Sequence, residues 1–297
     1  MHNADAFHDG TERALSDLNC SVQALYVHPV KSCAGLALPR SLLVETGLDL
    51  DRAWMLVDGH GEFVTQRELP RLALVRPTLR QDDLVLRAPG MLALHVALDR
   101  VESPLRVRVW NDELPAWDLG ALAAQWFSDF AGRPLRLVRF DPQQRRLSDR
   151  RWTGAHEATT AFADAFALLV TSTASLAELN RRLALQGTAA VDMRRIRPNL
   201  VLDGIEAHDE DHIDRLEIDT PQGVVELQLV KPCARCSIPG VDPDSGVQGH
   251  EVTDALAGYR ADPRMAGAIT FGMNAIVLRG VDHVLAVGQN CRASYAF

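Results

Sequence analysis

Along much of this chain apolar residues fall at every second position, in short runs broken by turn residues. V-Q-A-L-Y-V from Val22 predicts a first strand ending in H-P-V-K-S-C-A-G, where Pro29 and Gly35 bracket a turn carrying Lys31, Ser32 and Cys33. A second strand is expected around Leu42 to Glu45, and Gly47 leads on to L-D-L-D-R-A-W-M-L-V-D. The G-H-G around His60 reads as a hairpin turn into F-V-T-Q-R-E, and L-V-L-R, L-A-L-H-V-A-L and R-V-R-V-W carry the alternation to Trp110. So many short strands with few helical signals predict a closed or nearly closed β-barrel, which removes exposed edges.

From Leu119 the period changes to that of a helix: Leu119, Leu122, Ala123, Trp126, Phe127 and Phe130 form an apolar stripe, with Gly132 placed to end it. After a charged segment from Arg145 to Arg151, a buried strand (Phe166 to Val170) meets a helix whose apolar face is Leu176, Leu179 and Leu183. Ser172, Thr173 and Ser175 crowd the start of that helix, and Ser175 with Glu178 fits a capping box. Spare hydroxyls at a helix N-terminus also suit an anion. Arg194, Arg195 and Arg197 stand before P-N-L-V-L; they read as a solvated basic face, or, at Arg197, as a fixed fork for phosphate or carboxylate. The run H-D-E-D-H from His208 to His212 reads as a solvated acidic loop.

The stretch with the most chemistry is K-P-C-A-R-C-S-I-P-G-V-D-P-D-S-G, from Lys231 to Gly246. Val225, Leu227 and Leu229 alternate with Glu226 and Gln228, so a strand leads straight into it, and its prolines and glycines preclude regular structure beyond. Arg235 adjoins Cys236 and Lys231 is near, and positive charge favours a thiolate, the form that binds soft metals. Residue types alone leave four readings open: a structural zinc site, a thioredoxin-like dithiol, small buried hydrophobes in a tight turn, and a single-cysteine site for metal, redox or sulfur chemistry. The zinc reading lacks a second ligand pair at ribbon or finger spacing, and the dithiol reading lacks a following helix.

Composition narrows the partners. A net charge of −8 argues against a general nucleic-acid or anionic-membrane surface, so any anionic ligand needs a local basic pocket. Cys20, Cys33, Cys233, Cys236 and Cys291 are few and uneven, which suits a reducing compartment and a cytoplasmic location. The polar first residues resemble neither a secretory signal nor a transit peptide, and no apolar run is long enough for a membrane span.

In this order, H-P-V-K-S-C-A-G, G-L-D-L-D-R-A-W-M, T-Q-R-E, F-A-D, T-A-S-L-A-E-L-N, R-P-N, K-P-C-A-R-C with V-D-P-D-S-G, and F-G-M-N resemble the MOSC domain proteins that carry an N-terminal β-barrel domain. Among them the sequence is similar to the mitochondrial amidoxime-reducing component and the bacterial YcbX-like proteins, and the resemblance runs from about Cys20 to Gly288. It implies a mixed, mainly β fold with several helices: a mobile tail over 1–18, an N-terminal β-barrel-like domain over 19–118, and a helix-containing MOSC β-barrel domain over 119–297 that holds the cofactor site. It further implies a molybdenum–molybdopterin cofactor and reduction of N-hydroxylated compounds. Cys236 is then the expected molybdenum ligand, and Asp242 orders the loop or shuttles protons. Lys31, Ser32, Arg52, Ser172, Thr173, Arg197 and Arg235 match positions that hold the pterin and its phosphate; Asn199, Phe271 and Asn274 fall where the family closes the pocket.

Two departures shape the remaining expectations. The YcbX-like relatives carry a ferredoxin-type domain, whereas only Cys291 follows the loop here, so no iron–sulfur cluster is expected in this chain and electrons come from a separate donor protein of ferredoxin or flavoprotein type. I-P-G-V-D replaces the Thr-rich run often found after the cysteine. Two other MOSC activities stay open: sulfur transfer through a Cys236 persulfide, and a non-catalytic cofactor-binding module.

Overall fold

A computed structural model describes residues 17–296; most of the expected N-terminal tail lies outside them, and Leu18 already opens the first strand. Seven strands close a barrel in the order Leu168–Ser172, Leu200–Asp203, Leu18–Val27, Asn290–Tyr295, Ile213–Thr220, Gly223–Ala234, Ala268–Arg279 and back to Leu168–Ser172. Neighbours are antiparallel except Leu168–Ser172 with Leu200–Asp203. A parallel pair needs a crossover, and a helix supplies it. Inward positions follow the period-2 pattern: Val22, Val225, Leu227, Leu216, Ile218, Leu200, Leu202 and Ala275 share one buried core.

The chain between the first two barrel strands builds a second core. Trp54–Val57, Arg136–Phe140, Asp112–Asp118 and Ser103–Val109 form one antiparallel sheet; Arg76–Leu79, Asp83–Arg87 and Leu94–Ala97 form another. Helix α1 (Ala121–Ala131) lays Ala123, Trp126, Phe127 and Phe130 against them, and Gly132 ends it at φ 72° as expected. Leu122 departs from the expected stripe and is exposed, because the buried face is centred on Trp126 and Phe127. The short α2 (Arg150–Thr153) lies in the charged segment, α3 (Thr173–Leu185) is the crossover, and α4 (Glu251–Ala257) packs beside it.

Two local expectations are corrected. The strand before α3 runs two residues further than predicted, so the N-cap is Ser172, whose hydroxyl accepts from Ser175 N; Glu178 instead pairs with Arg181 and Arg182. The expected solvated acidic loop folds inward: Glu210 and Asp211 are buried, compensated by the Ser172 and Ser175 hydroxyls and by Arg260.

Gly272 marks a tight contact between strands. It has φ +74°, and a Cβ there would lie 2.6 Å from both Val170 O and Thr171 Cγ2. That closeness lets Met273 pair with Val170 and sets Asn274 opposite both Leu169 and Lys231. Gly272→Ala is expected to lower unfolding stability by roughly 3 kcal/mol, from a strained dihedral plus a backbone clash, measured as a shift in the urea midpoint.

Candidate functional site

Between one end of the barrel and the N-terminal sheets lies a cleft of about 450 Å³. Its lining comes from strand ends and the segments just beyond them. Leu18–Val27 runs on to Lys31 and Ser32, Arg52 precedes Trp54–Val57, Arg197 and Asn199 precede Leu200–Asp203, and Gly223–Ala234 delivers Lys231, Cys233, Arg235 and Cys236. Six cations line the cleft, namely Lys31, Arg52, Arg67, Arg197, Lys231 and Arg235, against a single carboxylate, Asp164.

The cations are held, not loose. Arg52 donates to the Asp51 carboxylate, to Asn199 Oδ1 (3.1 Å) and to the carbonyl of Arg197 (3.1 Å). Although burial opposes it, Arg52 and His28 keep the Asp51 carboxyl below its usual range. Asn199 also accepts from Leu169 N (3.1 Å) and donates to Tyr26 O (3.2 Å), so its amide is fixed from three sides. Arg197 donates to Cys33 O at 2.6 Å; burial, and then the like charge of Arg52, pushes its pKa down to about 10.

Lys31 is buried and donates to Phe162 O (2.8 Å) and to Asp164, and burial pulls its pKa below the ordinary lysine value. Asp164, on the exposed side of the cleft, also meets Arg67 at 3.6 Å and Trp110 Nε1 at 3.2 Å; Lys31 foremost, and then these two, hold its carboxyl well below the usual range. Ser32, Arg52 and Arg197 all have positive φ, 67°, 48° and 61°. Three non-glycine residues in the left-handed region around one cleft are the kind of local strain that gathers at functional sites.

Arg235 spans the floor. It donates to Cys233 Sγ (3.1 Å) and Ile196 O (2.8 Å), while its buried Nε has no partner among the described residues, and the same holds for Arg67 Nε. Lys231 Nζ sits 5.3 Å from the centre of the Trp152 ring and 5.8 Å from that of Phe166, a cation–π arrangement. Cys233 is half-buried; Cys236 is exposed at the rim. Concentrated positive charge, two arginine N–H groups awaiting acceptors and an open thiol suit a phosphate-bearing anionic ligand that carries a soft metal.

Of the residues singled out in the sequence, the structure brings Cys236, Lys31, Ser32, Arg52, Arg197, Asn199, Arg235 and Asn274 to this cleft. Four lie elsewhere. Ser172 is fully buried in its cap, Thr173 bonds Asp203, and Phe271 is core, edge-on to His208. The helix terminus these hydroxyls flank already faces a carboxylate, since Glu210 accepts from Ser172 (3.0 Å) and Ser175 (2.6 Å). Asp242 turns away from the thiols to accept from Asp244 N, Ser245 N, the Ser245 hydroxyl and Arg195. Sequence reasoning gave no role to Arg67, Trp110 or Asp164. T-Q-R-E and F-A-D contain the first and third, and were the available signal.

Residues 19–134 match the MOSC N-terminal beta barrel domain and residues 157–292 match the MOSC domain. The chain therefore belongs to the MOSC family. It is 35% identical over 254 residues to mitochondrial amidoxime-reducing component 1 of Mus musculus, covering 82% of this chain and 72% of that one. It is 34% identical over 265 residues to mitochondrial amidoxime reducing component 2 of Bos taurus, with 86% and 76% covered. Molybdenum cofactor sulfurase of Homo sapiens is 28% identical over 270 residues, 85% of this chain but 29% of the sulfurase. No helix among the described residues is long and apolar enough to cross a membrane.

Burial lifts the Glu210 carboxyl from the ordinary 4.5 to about 7. Between those values the folded chain keeps a proton that the unfolded chain has lost, so stability falls as pH rises through the window and is flat on either side. Glu210→Gln is expected to remove roughly 3 kcal/mol of this pH dependence, read from denaturant unfolding at pH 4.5 and pH 8.

Proposed function

We propose that this chain is a molybdenum-cofactor-dependent reductase of N-hydroxylated compounds (amidoximes, hydroxylamines and N-hydroxylated bases) supplied with electrons by a separate ferredoxin- or flavoprotein-type donor. The observation that carries this reading is the cleft itself: six cations converge beside an exposed thiol on a chain of net charge −8. The kinship with two amidoxime-reducing components supports it.

When bound, the cofactor supplies a two-electron centre at which an N–OH group becomes N–H with release of water. The protein's share is binding and orientation. Cys236 provides the thiolate ligand to molybdenum at the open rim, where a substrate can reach it. Arg52, Arg197, Arg235 and Lys31 neutralise the phosphate, with Ser32, Asn199 and Asn274 completing the polar wall. Asn274 Nδ2 is anchored on Lys231 O at 3.2 Å, which fixes the strand opposite the thiol loop. Asp242 acts by ordering that loop, its two oxygens being engaged by backbone, Ser245 and Arg195. The free cysteines agree with a reducing compartment, and we place the protein in the cytoplasm.

Protein made in a cofactor-producing host should hold near-stoichiometric molybdenum and reduce benzamidoxime with a reduced viologen dye. Cys236→Ala should lose both, with turnover down on the order of 100-fold or more. Retained metal and turnover in that variant would overturn the assignment. Asp242→Ala should cost about 1–2 kcal/mol of stability while leaving the shape of the pH–rate profile unchanged. A shifted profile would assign Asp242 a proton.

The exposure of Cys236, which makes no hydrogen bond among the described residues, and the kinship with the cofactor sulfurase favour one second reading, sulfur transfer. It predicts a one-sulfur adduct on Cys236 of metal-free protein, detected by peptide mass spectrometry.

A further inference from the structure

Cys20 and Cys291 stand directly opposite each other in the antiparallel pair formed by Leu18–Val27 and Asn290–Tyr295. Both are buried, 8% and 1% exposed, and both belong to the same inner core of the barrel. Opposed residues on such a ladder have Cα atoms about 4.5–5.5 Å apart. That falls inside the span of about 4.4–6.8 Å that a disulfide bridges, and two side chains turned to the same inner face have converging Cβ atoms. Neither cysteine is bridged in the structure.

The two thiols are also within reach of each other. The Cys291 thiol has two acceptors in reach, Gln289 O at 3.7 Å and the Cys20 sulfur. Its hydrogen bond holds Cys20 below the ordinary thiol value even though burial opposes this, while the same contact and then burial raise Cys291.

We propose that Cys20 and Cys291 are a peroxide-responsive pair that closes to a cross-strand disulfide, covalently joining the first and last strands of the barrel. The sulfur of one cysteine attacks one oxygen of hydrogen peroxide; the O–O bond breaks, a sulfenic acid forms and one water leaves. The sulfur of the other then displaces the sulfenic hydroxyl, which departs as a second water carrying that thiol's proton. Two thiols are oxidised by two electrons and one peroxide is reduced. The closed form ties together residues that lie almost the whole chain apart, which restricts the unfolded ensemble. It also anchors the strand that runs on to Lys31 and Ser32.

The test is a peptide map of the full chain after excess hydrogen peroxide, digested without reduction. The expected result is a linked Cys20–Cys291 peptide and a mass about 2 Da lower. It should come with a Tm raised by roughly 5–10 °C, reversed by dithiothreitol and absent in both Cys20→Ser and Cys20→Ala. Oxidation confined to Cys233 and Cys236, with Cys20 and Cys291 freely alkylated after unfolding, would overturn the proposal. So would a linked peptide that leaves Tm unchanged.

Discussion

Like charges facing one another across a small cleft set the terms for the rest of this molecule. Burial, and then the like charge of Arg52, weaken the hold of Arg197 on its proton, and Lys31 is buried beside them. Such an arrangement persists only if the surrounding structure forces it. Here the forcing groups are neutral or singly acidic: Asp51 behind Arg52, Asn199 between two strands, the carbonyl of Cys33 on Arg197, and Asp164 on Lys31. The protein satisfies these side chains well enough to fold, yet leaves their charge largely uncompensated, which is the electrostatic definition of an anion receptor.

The same bonds knit the two halves of the chain. Arg52 belongs to the lead-in to the N-terminal sheets, and its partners Arg197 and Asn199 belong to the lead-in to a barrel strand. The thiol loop is tied down in the same manner. Asp244 accepts from Arg194 at its own end of the barrel and from Arg76 in the N-terminal sheets. Neither exposed ion pair counts for much singly. Together they decide that the loop carrying Cys236 is seated on both regions at once.

How much of this could be read beforehand follows the range of the interactions involved. Period-2 alternation is local, so the strand before Lys231 and the closed barrel were legible, as was α1 with Gly132 at its end. Residues at strand ends were legible too, because turn residues and charges stand beside them in the sequence. What escaped depends on distant partners. Ser175 looked like a cap because Glu178 follows at the right spacing; the carboxylate that binds its hydroxyl is Glu210, on the far side of a strand. The H-D-E-D-H run looked solvated because nothing local could neutralise it, whereas Arg260 does so from well downstream. Arg67, Trp110 and Asp164 meet from three separate segments, a contact no spacing rule anticipates.

The barrel's closure has a consequence for how the chain acquires its shape. The Leu18–Val27 strand is made long before its two neighbours in the barrel, Leu200–Asp203 and Asn290–Tyr295. Until those are synthesised only the end of the strand, Leu25 to Val27, has a native partner, the nearby Leu36–Leu38. The N-terminal sheets and α1 can condense around their own core in the meantime, while the rest of the first strand waits as an open edge of the type that invites association with other chains. Ring closure thus waits for the last of its strands, and the cation cleft, which borrows residues from both ends of that wait, comes into being only with it.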